Sequence, residues 1–519
     1  MSTACRRLLF RLIPIVGVCT YLLACGSANN RLSIDSPLTS VSSTKNPLVA
    51  KYFVSIQTGG HARVEFGTDT SYGRQTAWYS VPPGGSGVAI LVAGMKASTS
   101  YHMRAEVLSG ETSWLDKDWL FVTGPLPSTR FPILVVTRPK SAALVATENP
   151  GIELINLTEP GVNMMQAVVA DREGNPIWYY DVGAAQANLP IPIKLIPNGH
   201  MLVNIQIGAT GATFLRELDL AGHTIRQMDA PALQQKLQSA GHALSALNFH
   251  HDFLPLSNGH LIVLASAAQD FADLPGYPGT TQVFGDVLVD LDENWNPVWF
   301  WSAFDHLDVH RHPMRLPDWT HGNAVVYMPN DGNLLVSMRN QSWILKIEYR
   351  NGDGSGDVLW RLGQGGDFTL TGGDPSRWFY GQHFPSLVTT DGSALTMAIF
   401  DNGNLRVLDD SGTECGSPKG PACYSRATVF KIDENTRIAT VDWQDAPGPY
   451  SLWGGSINLL ANGDVEFDMS APFPGIAGSR VLEVTQTDMP QTVWQMDIQG
   501  GHAYRAYRIP SLYPGVSWK

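Results

Sequence analysis

Residues 197–203 read Pro-Asn-Gly-His-Met-Leu-Val, and residues 257–263 read Ser-Asn-Gly-His-Leu-Ile-Val. The same order, a turn followed by an apolar strand, returns at 330–336 as Asn-Asp-Gly-Asn-Leu-Leu-Val. Weaker copies stand at 391–395 and 462–465. Asn-Gly and Asp-Gly favour the tight turns of β-hairpins, because glycine accepts a positive φ at little cost. The stretch therefore predicts a β-hairpin that recurs along the chain.

A second motif, an acidic turn that leads to an aromatic strand, alternates with the hairpin. Its copies are Arg-Glu-Gly-Asn-Pro-Ile-Trp at 172–178, the segment 292–299, and segments that lead to Trp360, Trp443 and Trp494; a degenerate copy at 219–225 lacks the tryptophan. The unit repeats about every 55–70 residues, a period typical of propellers and solenoids. Small antiparallel sheets repeated around an axis form a β-propeller, and we predict an all-β protein with six blades over 130–519. A β-helix or a jelly roll would need a shorter period or no repeat.

The segment 45–124 has the alternating pattern of short strands rather than the repeat. Its sequence from Leu91 to Tyr101 resembles the turn of fibronectin-type sandwiches. We expect a small fibronectin- or immunoglobulin-like β-sandwich there, joined to the repeat domain by a linker at 125–129. The content of Gly 50, Pro 34 and Trp 15 fits a protein rich in turns and strands.

The first residues have the features of a processing signal. Three arginines precede an apolar stretch from Leu12 to Leu23, and the segment 22–26 resembles a bacterial lipobox. This predicts a lipoprotein-type signal peptide at 1–25, lipidation of Cys25 and a flexible tether at 26–44. The mature protein is then exported and lipid-anchored to a bacterial membrane, facing the periplasm. An ordinary signal peptide with an incidental cysteine is the alternative, and it also predicts export.

Two cysteines remain after the predicted signal. Cys415 and Cys423 flank a short loop rich in glycine and proline. In an oxidising compartment such a pair most simply forms one disulfide, and two thiols alone make a poor zinc site. We predict a structural disulfide.

Net charge and motif content exclude several classes of function. The formal net charge is -12, with no basic tract, which argues against a nucleic-acid partner. The sequence has no Gly-x-Ser-x-Gly elbow, no phosphate loop and no dinucleotide fingerprint, so serine hydrolases, kinases and NAD enzymes are disfavoured. We expect no cofactor.

Three histidines share a position in the repeat. His251, His321 and His383 lie eight, eleven and nine residues before the turn glycines of their copies. Ile191 and Gly455 occupy the corresponding places in two other copies, so packing does not require a histidine there. One repeat position traces a ring around the axis of a propeller, and we therefore predict that the three imidazoles face one central funnel.

Arg339 adds a cation to this site, because it follows the strand after Gly332 and the same hairpin then carries His321 and Arg339 at one end. An arginine on an otherwise apolar strand is costly unless it is paired or meets an anion. The pocket thus favours a small phosphate-like or sulfate-like substrate. A metal site is the rival interpretation, with Asp252 and Asp401 as available carboxylates, but no His-x-His or Glu-x-x-His cluster occurs and an arginine would repel a cation.

Several of these segments together resemble the bacterial arylsulfate sulfotransferases, which use aryl sulfates rather than a nucleotide donor. The motifs are 248–252 (Asn-Phe-His-His-Asp), 320–324 (Thr-His-Gly-Asn-Ala), 337–339 (Ser-Met-Arg), 382–383 (Gln-His), 400–403 (Phe-Asp-Asn-Gly) and 504–508 (Tyr-Arg-Ala-Tyr-Arg). The resemblance covers nearly the whole mature chain. It implies an aryl sulfate donor, a phenolic acceptor and a short-loop disulfide. A non-catalytic binding propeller and a metal-dependent periplasmic hydrolase or lyase remain alternatives, and the oligomeric state does not follow from the sequence.

The resemblance also implies roles for individual residues. His383, which precedes the Phe-Asp-Asn-Gly segment, matches the histidine that is transiently sulfated. His251, His321 and Arg339 match the supporting catalytic groups, and Asn323 matches a substrate-binding group. His250 is assigned as a second substrate-binding residue and is the alternative to His251, because strand alternation predicts that only one of the two faces the funnel. The register of the repeats favours His251.

Overall fold

The computed structural model describes residues 37–127, 131–158, 167–182, 188–207, 211–372, 374–418, 420–473 and 478–518. The chain divides into two units, Met1–Ser36 and Pro37–Lys519, and the described residues belong to the second. The predicted signal peptide, Cys25 and the first part of the predicted tether lie outside the described residues. No helix within the described ranges is long and apolar enough to cross a membrane.

The N-terminal part of the second unit forms two antiparallel sheets. One contains β1 (Leu38–Ser43), β2 (Ala50–Ser55) and β6 (Val88–Val92); the other contains β3 (Gly60–Gly67), β4 (Arg74–Gln75), β5 (Tyr79–Val81), β7 (Ser100–Ser109), β8 (Thr112–Leu115) and β9 (Trp119–Val122). Along β7 every second side chain is buried, as expected for a strand with one face on a core. Tyr52 of the first sheet and Phe66 of the second belong to the same hydrophobic cluster.

Strand β1 lies inside the segment 26–44 that is predicted to be a flexible tether. It pairs with β2 in a continuous register from Leu38 with Ser55 to Ser43 with Ala50. Its side chains are exposed or half-buried and rich in serine, so the sequence lacks the apolar alternation that signals a strand. The sheet therefore begins before residue 45, because backbone hydrogen bonds hold this edge strand.

Within the described residues, six further sheets of four or five strands follow, named I to VI here. Sheet I contains β11 (Ile152–Thr158), β12 (Ala167–Ala170), β13 (Pro176–Tyr180) and the last strand, β37 (His502–Ile509); sheet II contains β14 (Asn188–Leu195), β15 (Met201–Ile207), β16 (Thr213–Leu218) and β17 (Thr224–Asp229); sheet III contains β18 (Ser245–Pro255), β19 (Leu261–Leu274), β20 (Tyr277–Leu291) and β21 (Pro297–Ser302). Sheet IV contains β22 (Gly322–Met328), β23 (Asn333–Met338), β24 (Trp343–Ile347) and β25 (Val358–Leu362); sheet V contains β27 (His383–Asp391), β28 (Ala394–Asp401), β29 (Arg426–Asp433) and β30 (Ile438–Asp445), with β26 (Thr369–Leu370) beside β30; sheet VI contains β32 (Ser456–Leu459), β33 (Val465–Met469), β35 (Gly478–Val484), β36 (Thr492–Gln499) and β10 (Ile133–Thr137).

The remaining elements are short. β31 (Tyr450–Ser451) pairs with β34 (Pro472–Phe473); the α-helices are α1 (Ala142–Val145), α2 (Ala230–Ser239) and α3 (Ala303–His306); three 3-10 helices span Arg339–Gln341, Arg350–Gly352 and Pro375–Arg377. Helix α2 begins where the Asp229 side chain accepts a hydrogen bond from the Ala232 N–H, which satisfies one free donor of the first turn. It then buries Leu233 and Leu237.

The two repeated motifs occupy equivalent places in the sheets. The turn glycines of the hairpin motif all have positive φ: Gly199, Gly259, Gly332, Gly392 and Gly463. Each precedes the second strand of its sheet, in sheets II to VI. The tryptophans of the other motif, Trp178, Trp299, Trp360, Trp443 and Trp494, stand on the last repeat strand of sheets I, III, IV, V and VI.

These tryptophans also join each sheet to the next. The indole N–H of Trp178 in sheet I donates to Leu220 O in sheet II, at 2.7 Å. The corresponding bonds run from Trp299 to Gly354 O, from Trp360 to Glu434 Oε1, from Trp443 to Thr487 O and from Trp494 back to Arg172 O of sheet I. A buried indole N–H needs an acceptor, and the turn of the next sheet supplies it. Sheet II holds the degenerate copy, without the tryptophan.

One edge strand of each sheet contacts the equivalent edge strand of the next sheet. These are the first strands of sheets II to VI, and β37 takes this place in sheet I. β14 contacts β18, which contacts β22, and the contacts continue through β27 and β32 to β37; β37 contacts β14. His251, His321 and His383 lie on or immediately before three strands of this series, β18, β22 and β27.

Candidate active site

Three strands of the series share one irregularity where their histidines stand. φ is 46° at His251, 49° at His321 and 43° at Phe384, the residue after His383. The pairing register shifts at the same places, in β18, β22 and β27. Such β-bulges redirect side chains at the end of a strand. The imidazoles of His251 and His321 consequently lie 4.5 Å apart, between ring centroids.

The bulge in β18 changes the expectation for the two adjacent histidines. Strand alternation predicts that only one of His250 and His251 faces the site, and this prediction is wrong. Both line one cavity, their ring centroids are 5.1 Å apart, and their Nδ1 atoms are 2.9 Å apart. The left-handed backbone at His251 interrupts the alternation and brings both rings to the same side.

His383 is 1% exposed, and its tautomer is set by Asn402. The Asn402 amide nitrogen donates to the carbonyls of Ser451, at 2.8 Å, and Gly454, at 3.0 Å. Its oxygen therefore points at His383 and accepts from Nδ1, at 2.7 Å. Nδ1 carries the proton, and Nε2 keeps a lone pair. The backbone N–H of Gly454 donates to that lone pair at 3.2 Å.

The electrostatics of His383 favour the neutral imidazole. Burial lowers its pKa well below the ordinary value for histidine, and the positive charge of Arg339 lowers it further. The hydrogen bond to Asn402 opposes these effects without reversing them. A neutral imidazole with a lone pair at Nε2 can act as a nucleophile.

Arg339 lies one residue beyond β23, in a short 3-10 helix, rather than on an apolar strand. Its backbone N–H donates to His321 O at 3.2 Å, so one hairpin carries both residues at one end, as predicted. The guanidinium donates to Asn340 Oδ1 at 2.8 Å and to Leu452 O at 3.5 Å, and its Nε is buried with no partner. Within the described residues it has no carboxylate at ion-pair distance. Burial lowers the pKa of Arg339 from its ordinary value, although the charge of Asp318 opposes this.

Asn323 is fully buried and supports the backbone next to His383. Its amide nitrogen donates to Gln382 O at 2.7 Å, while its Oδ1 is buried with no partner. The Gln382 side chain in turn donates to Ser337 Oγ at 3.1 Å and to Trp343 O at 3.0 Å. Asn323, which the resemblance assigns to substrate, thus uses one of its two amide N–H donors on the chain itself.

Two carboxylates contact the histidines, and sequence reasoning missed both. Asp318 Oδ2 lies 2.5 Å from His321 Nδ1, and Asp286 Oδ1 lies 3.0 Å from His250 Nε2. Burial lowers the pKa of His250, but the contact with Asp286, together with the charge of Asp318 and the Ala265 backbone, raises it overall. Burial, followed by the charges of His321 and His250, holds the pKa of His251 well below its ordinary value. Adjacent imidazoles therefore have opposite protonation preferences.

Comparison with known families agrees with this geometry. The family described as Arylsulfotransferase (ASST) matches residues 141–508, which is more than half of the chain. The chain belongs to the arylsulfotransferase family. That membership makes it a sulfotransferase enzyme, as the resemblance of its motifs predicts. Comparison with curated proteins finds no match to the chain.

Solved structures resemble this arylsulfotransferase family member only distantly. An apocarotenoid oxygenase variant from Synechocystis is 11% identical, with 92% of this chain and 95% of that chain covered and a TM-score of 0.30. A DUF4784 family protein from Bacteroides caccae is 10% identical, with 88% and 94% covered and a TM-score of 0.30.

Tyr504 is a further member of the site that received no role from the sequence. Its ring lies 5.7 Å from that of His251 and 6.0 Å from that of His383, between centroids. Its hydroxyl is buried with no partner, and burial raises its pKa to about 12. Tyr504 belongs to the 504–508 motif, which contributes to the family resemblance. The sequence of this motif does not predict which of its side chains reaches the histidines.

The two carboxylates considered for a metal are committed to cations. Asp252 accepts from Lys194 at 2.5 Å and lies 3.3 Å from Arg505. Asp401 pairs with Arg406 at 2.8 Å and with Arg426 at 2.7 Å. Across the part of the chain that the structure describes, no group of three or more His, Cys, Asp or Glu residues is arranged to hold a metal ion. Cys415 and Cys423 form the predicted disulfide.

A cavity of about 390 Å³ opens beside His250, His251 and His321. Its other walls include Asn248 and Asp318 together with further hydroxyl, amide and phenyl groups from β15, β19 and β20. The space is large enough for one aromatic ring with a polar substituent.

Proposed function

We propose that this protein transfers a sulfuryl group from an aryl sulfate to a phenol through a sulfohistidine on His383, without a nucleotide donor. The observation that carries the proposal is the lone pair at Nε2 of a buried, neutral imidazole whose Nδ1 is held by Asn402. Membership of the arylsulfotransferase family supports it. No group other than the substrates is required.

In the first half-reaction, Nε2 of His383 forms a bond to sulfur while the bond between sulfur and the aryl oxygen breaks. The electron pair leaves on the phenolate. The Gly454 N–H, which occupies Nε2 in the free site, gives way to the sulfur atom. Negative charge develops on the sulfuryl and leaving oxygens, and the guanidinium of Arg339 and the imidazole of His321 are positioned to stabilise it.

In the second half-reaction, the oxygen of a phenolic acceptor attacks the sulfur of the sulfohistidine, and Nε2 recovers its lone pair. We assign His251 as the group that protonates the leaving phenolate and deprotonates the acceptor, because it contacts both His321 and Tyr504 in the cluster. Asn323 is assigned a positioning role, since its amide holds the carbonyl that precedes His383.

We also propose that sheets I to VI are the six blades of a closed β-propeller. Support comes from the contacts between successive first strands, from the indole hydrogen bonds that run from sheet to sheet, and from β37, which lies beside β11 in sheet I although it is last in the chain. The two N-terminal sheets, which share one core, are then a β-sandwich.

Export and lipid anchoring at Cys25 are part of the same proposal. A disulfide between Cys415 and Cys423 supports an oxidising compartment such as the periplasm. Replacing Cys25 by serine should abolish incorporation of labelled fatty acid and release the protein from the membrane fraction. Unchanged labelling of the Cys25→Ser variant would overturn the anchor.

The proposed function is tested by mass spectrometry of the mature protein after brief mixing with para-nitrophenyl sulfate and no acceptor. We expect the mass of one sulfuryl group on a peptide that contains His383, and its loss when phenol is added. His383→Asn should form no adduct, while His260→Gln, which alters a histidine paired with Asp290 outside the cluster, should behave as wild type. Release of nitrophenol that stops after chelation, with no adduct, would favour a metal-dependent hydrolase. Binding without release would favour a binding propeller.

A further inference from the structure

Three titratable groups form a line behind the candidate site. Nδ1 of His251 lies 2.9 Å from Nδ1 of His250, and Nε2 of His250 lies 3.0 Å from Oδ1 of Asp286. Nδ1 of His250 thus contacts a second imidazole, and its Nε2 lies at ion-pair distance from a carboxylate.

The buried carboxylate of Asp286 favours a positive charge on His250. Asp286 is 1% exposed and accepts from the Gly322 N–H at 2.6 Å through its other oxygen. Among the ion pairs of the described residues, its cationic partner is His250. Because a buried carboxylate is stabilised by a paired cation, Asp286 favours the form of His250 that carries a proton on each ring nitrogen.

The charge of His250 then determines the tautomer of His251. Because the Nδ1–H of His250 donates across the 2.9 Å contact, Nδ1 of His251 must accept. A neutral His251 consequently carries its proton on Nε2. The residue enters the reaction cycle as a proton donor through Nε2 and as a proton acceptor through Nδ1.

We propose that His250 and Asp286 form a proton relay with His251, which supplies one proton in the first half-reaction and recovers one in the second. This inference rests on the proposed sulfuryl transfer. As the aryl–oxygen bond to sulfur breaks, His251 Nε2–H protonates the leaving phenolate, and the Nδ1 proton of His250 moves to His251 Nδ1. His250 is left neutral, with its Nε2–H on Asp286. When the acceptor phenol attacks, its proton passes to His251 Nε2 and the Nδ1 proton returns to His250.

The surrounding charges favour a protonated His250 beside a neutral His251. The charged and titratable groups that face His250 are His251 on its own strand, Asp286 on β20, and Asp318 with His321 beside β22. Asp286, and after it Asp318, outweigh burial and raise the pKa of His250. The pKa of His251 is lowered by burial and by its cationic neighbours. A relay suits this contrast, because His251 cannot itself retain a second proton.

The experiment compares donors whose leaving phenols differ in basicity. A para-nitrophenolate leaves without a proton, whereas an unsubstituted phenolate needs one. His250→Asn keeps a donor near the position of Nδ1 but cannot release a proton, and Asp286→Asn removes the charge that keeps His250 protonated. Single-turnover release of the phenol is measured for both donors in wild type, in both variants and in the control His260→Gln.

We expect both variants to release nitrophenol within about threefold of the wild-type rate and to release phenol from phenyl sulfate roughly 10²-fold more slowly, the range of a lost general acid. His260→Gln should change neither rate. Equal losses with the two donors, or no loss with phenyl sulfate in either variant, would overturn the relay. If the wild-type protein forms neither nitrophenol nor a sulfohistidine, the proposed sulfuryl transfer is wrong, and the relay that rests on it is wrong as well.

Discussion

The side-chain oxygen of Asn402 lies 2.7 Å from Nδ1 of His383, and this contact decides which nitrogen of the imidazole can react. Asn402 cannot rotate its amide without losing two bonds to backbone carbonyls, those of Ser451 and Gly454. The tautomer of His383 is therefore a property of the loop around Gly454 as much as of the histidine. A site of this kind is preorganised before any substrate enters.

Asn402→Leu should lose this control while filling a similar volume. We expect formation of the sulfohistidine to slow by about 10²-fold, the effect of a misplaced reacting group, with para-nitrophenyl sulfate as donor. The measurements are the rate of the nitrophenol burst and the nitrogen chemical shifts of His383, which distinguish the two tautomers. A normal burst with the Nδ1–H tautomer retained would contradict the assignment.

Arg339→Met should weaken stabilisation of the transferring group. Removal of a preorganised donor to a developing anion costs ~2.7–4 kcal/mol of barrier, and we expect a loss of that size in kcat/KM for para-nitrophenyl sulfate. Arg339→Lys keeps the charge but not the planar fork, so its loss should be smaller. Losses of equal size in the two variants would show that the charge of Arg339 is not what the site uses.

The pH profile follows from the lowered pKa of His383. A lowered pKa means that the neutral, reactive imidazole persists as pH falls and is lost only when pH passes below that pKa. The rate of the nitrophenol burst should thus stay level down to about pH 6.5, where an ordinary histidine is half protonated. Because Arg339 contributes to the shift, Arg339→Met should move the acidic limb to higher pH. If the rate of the wild-type burst instead falls with a midpoint at the ordinary pKa of histidine, the pKa of His383 is not lowered.

The hairpins of sheets II to VI could be predicted from short motifs, because the residues that determine each turn are neighbours in the sequence. The turn at Gly259 needs positive φ, and the indole of Trp494 needs a buried acceptor, so each constrains its own neighbourhood. The shared repeat position of His251, His321 and His383 could be read for the same reason. Any repeat places equivalent residues at equivalent ends of its strands.

The chemistry behind those histidines could not be read in the same way. Asp286 meets His250 from a strand two positions away in sheet III, and Asn402 meets His383 from the end of the neighbouring strand. Strand alternation failed at His251 because a β-bulge depends on how two strands pair, which no local pattern records. Strand β1 was missed because its side chains carry no apolar alternation.

The last prediction concerns Asp468, which is fully buried on β33 with one carboxylate oxygen lacking a partner. Burial raises its pKa well above the ordinary value, so the folded protein binds a proton there more tightly than the unfolded chain. The stabilisation is complete below the ordinary pKa and is lost as pH rises through the raised one. Asp468→Asn is neutral at every pH and should be more stable than wild type at about pH 8, by about 1–3 kcal/mol.

Thermal unfolding of the two proteins at about pH 5 and about pH 8 measures this difference. The advantage of Asp468→Asn should be larger at the higher pH. Asp497→Asn is the matched control, because Asp497 on β36 of the same sheet is part-exposed and pairs with Arg480 at 2.6 Å. Its effect on the melting temperature should not grow with pH in the stabilising direction. If Asp468→Asn is less stable than wild type at the higher pH, the ionised carboxylate of Asp468 stabilises the folded protein, and the prediction is wrong.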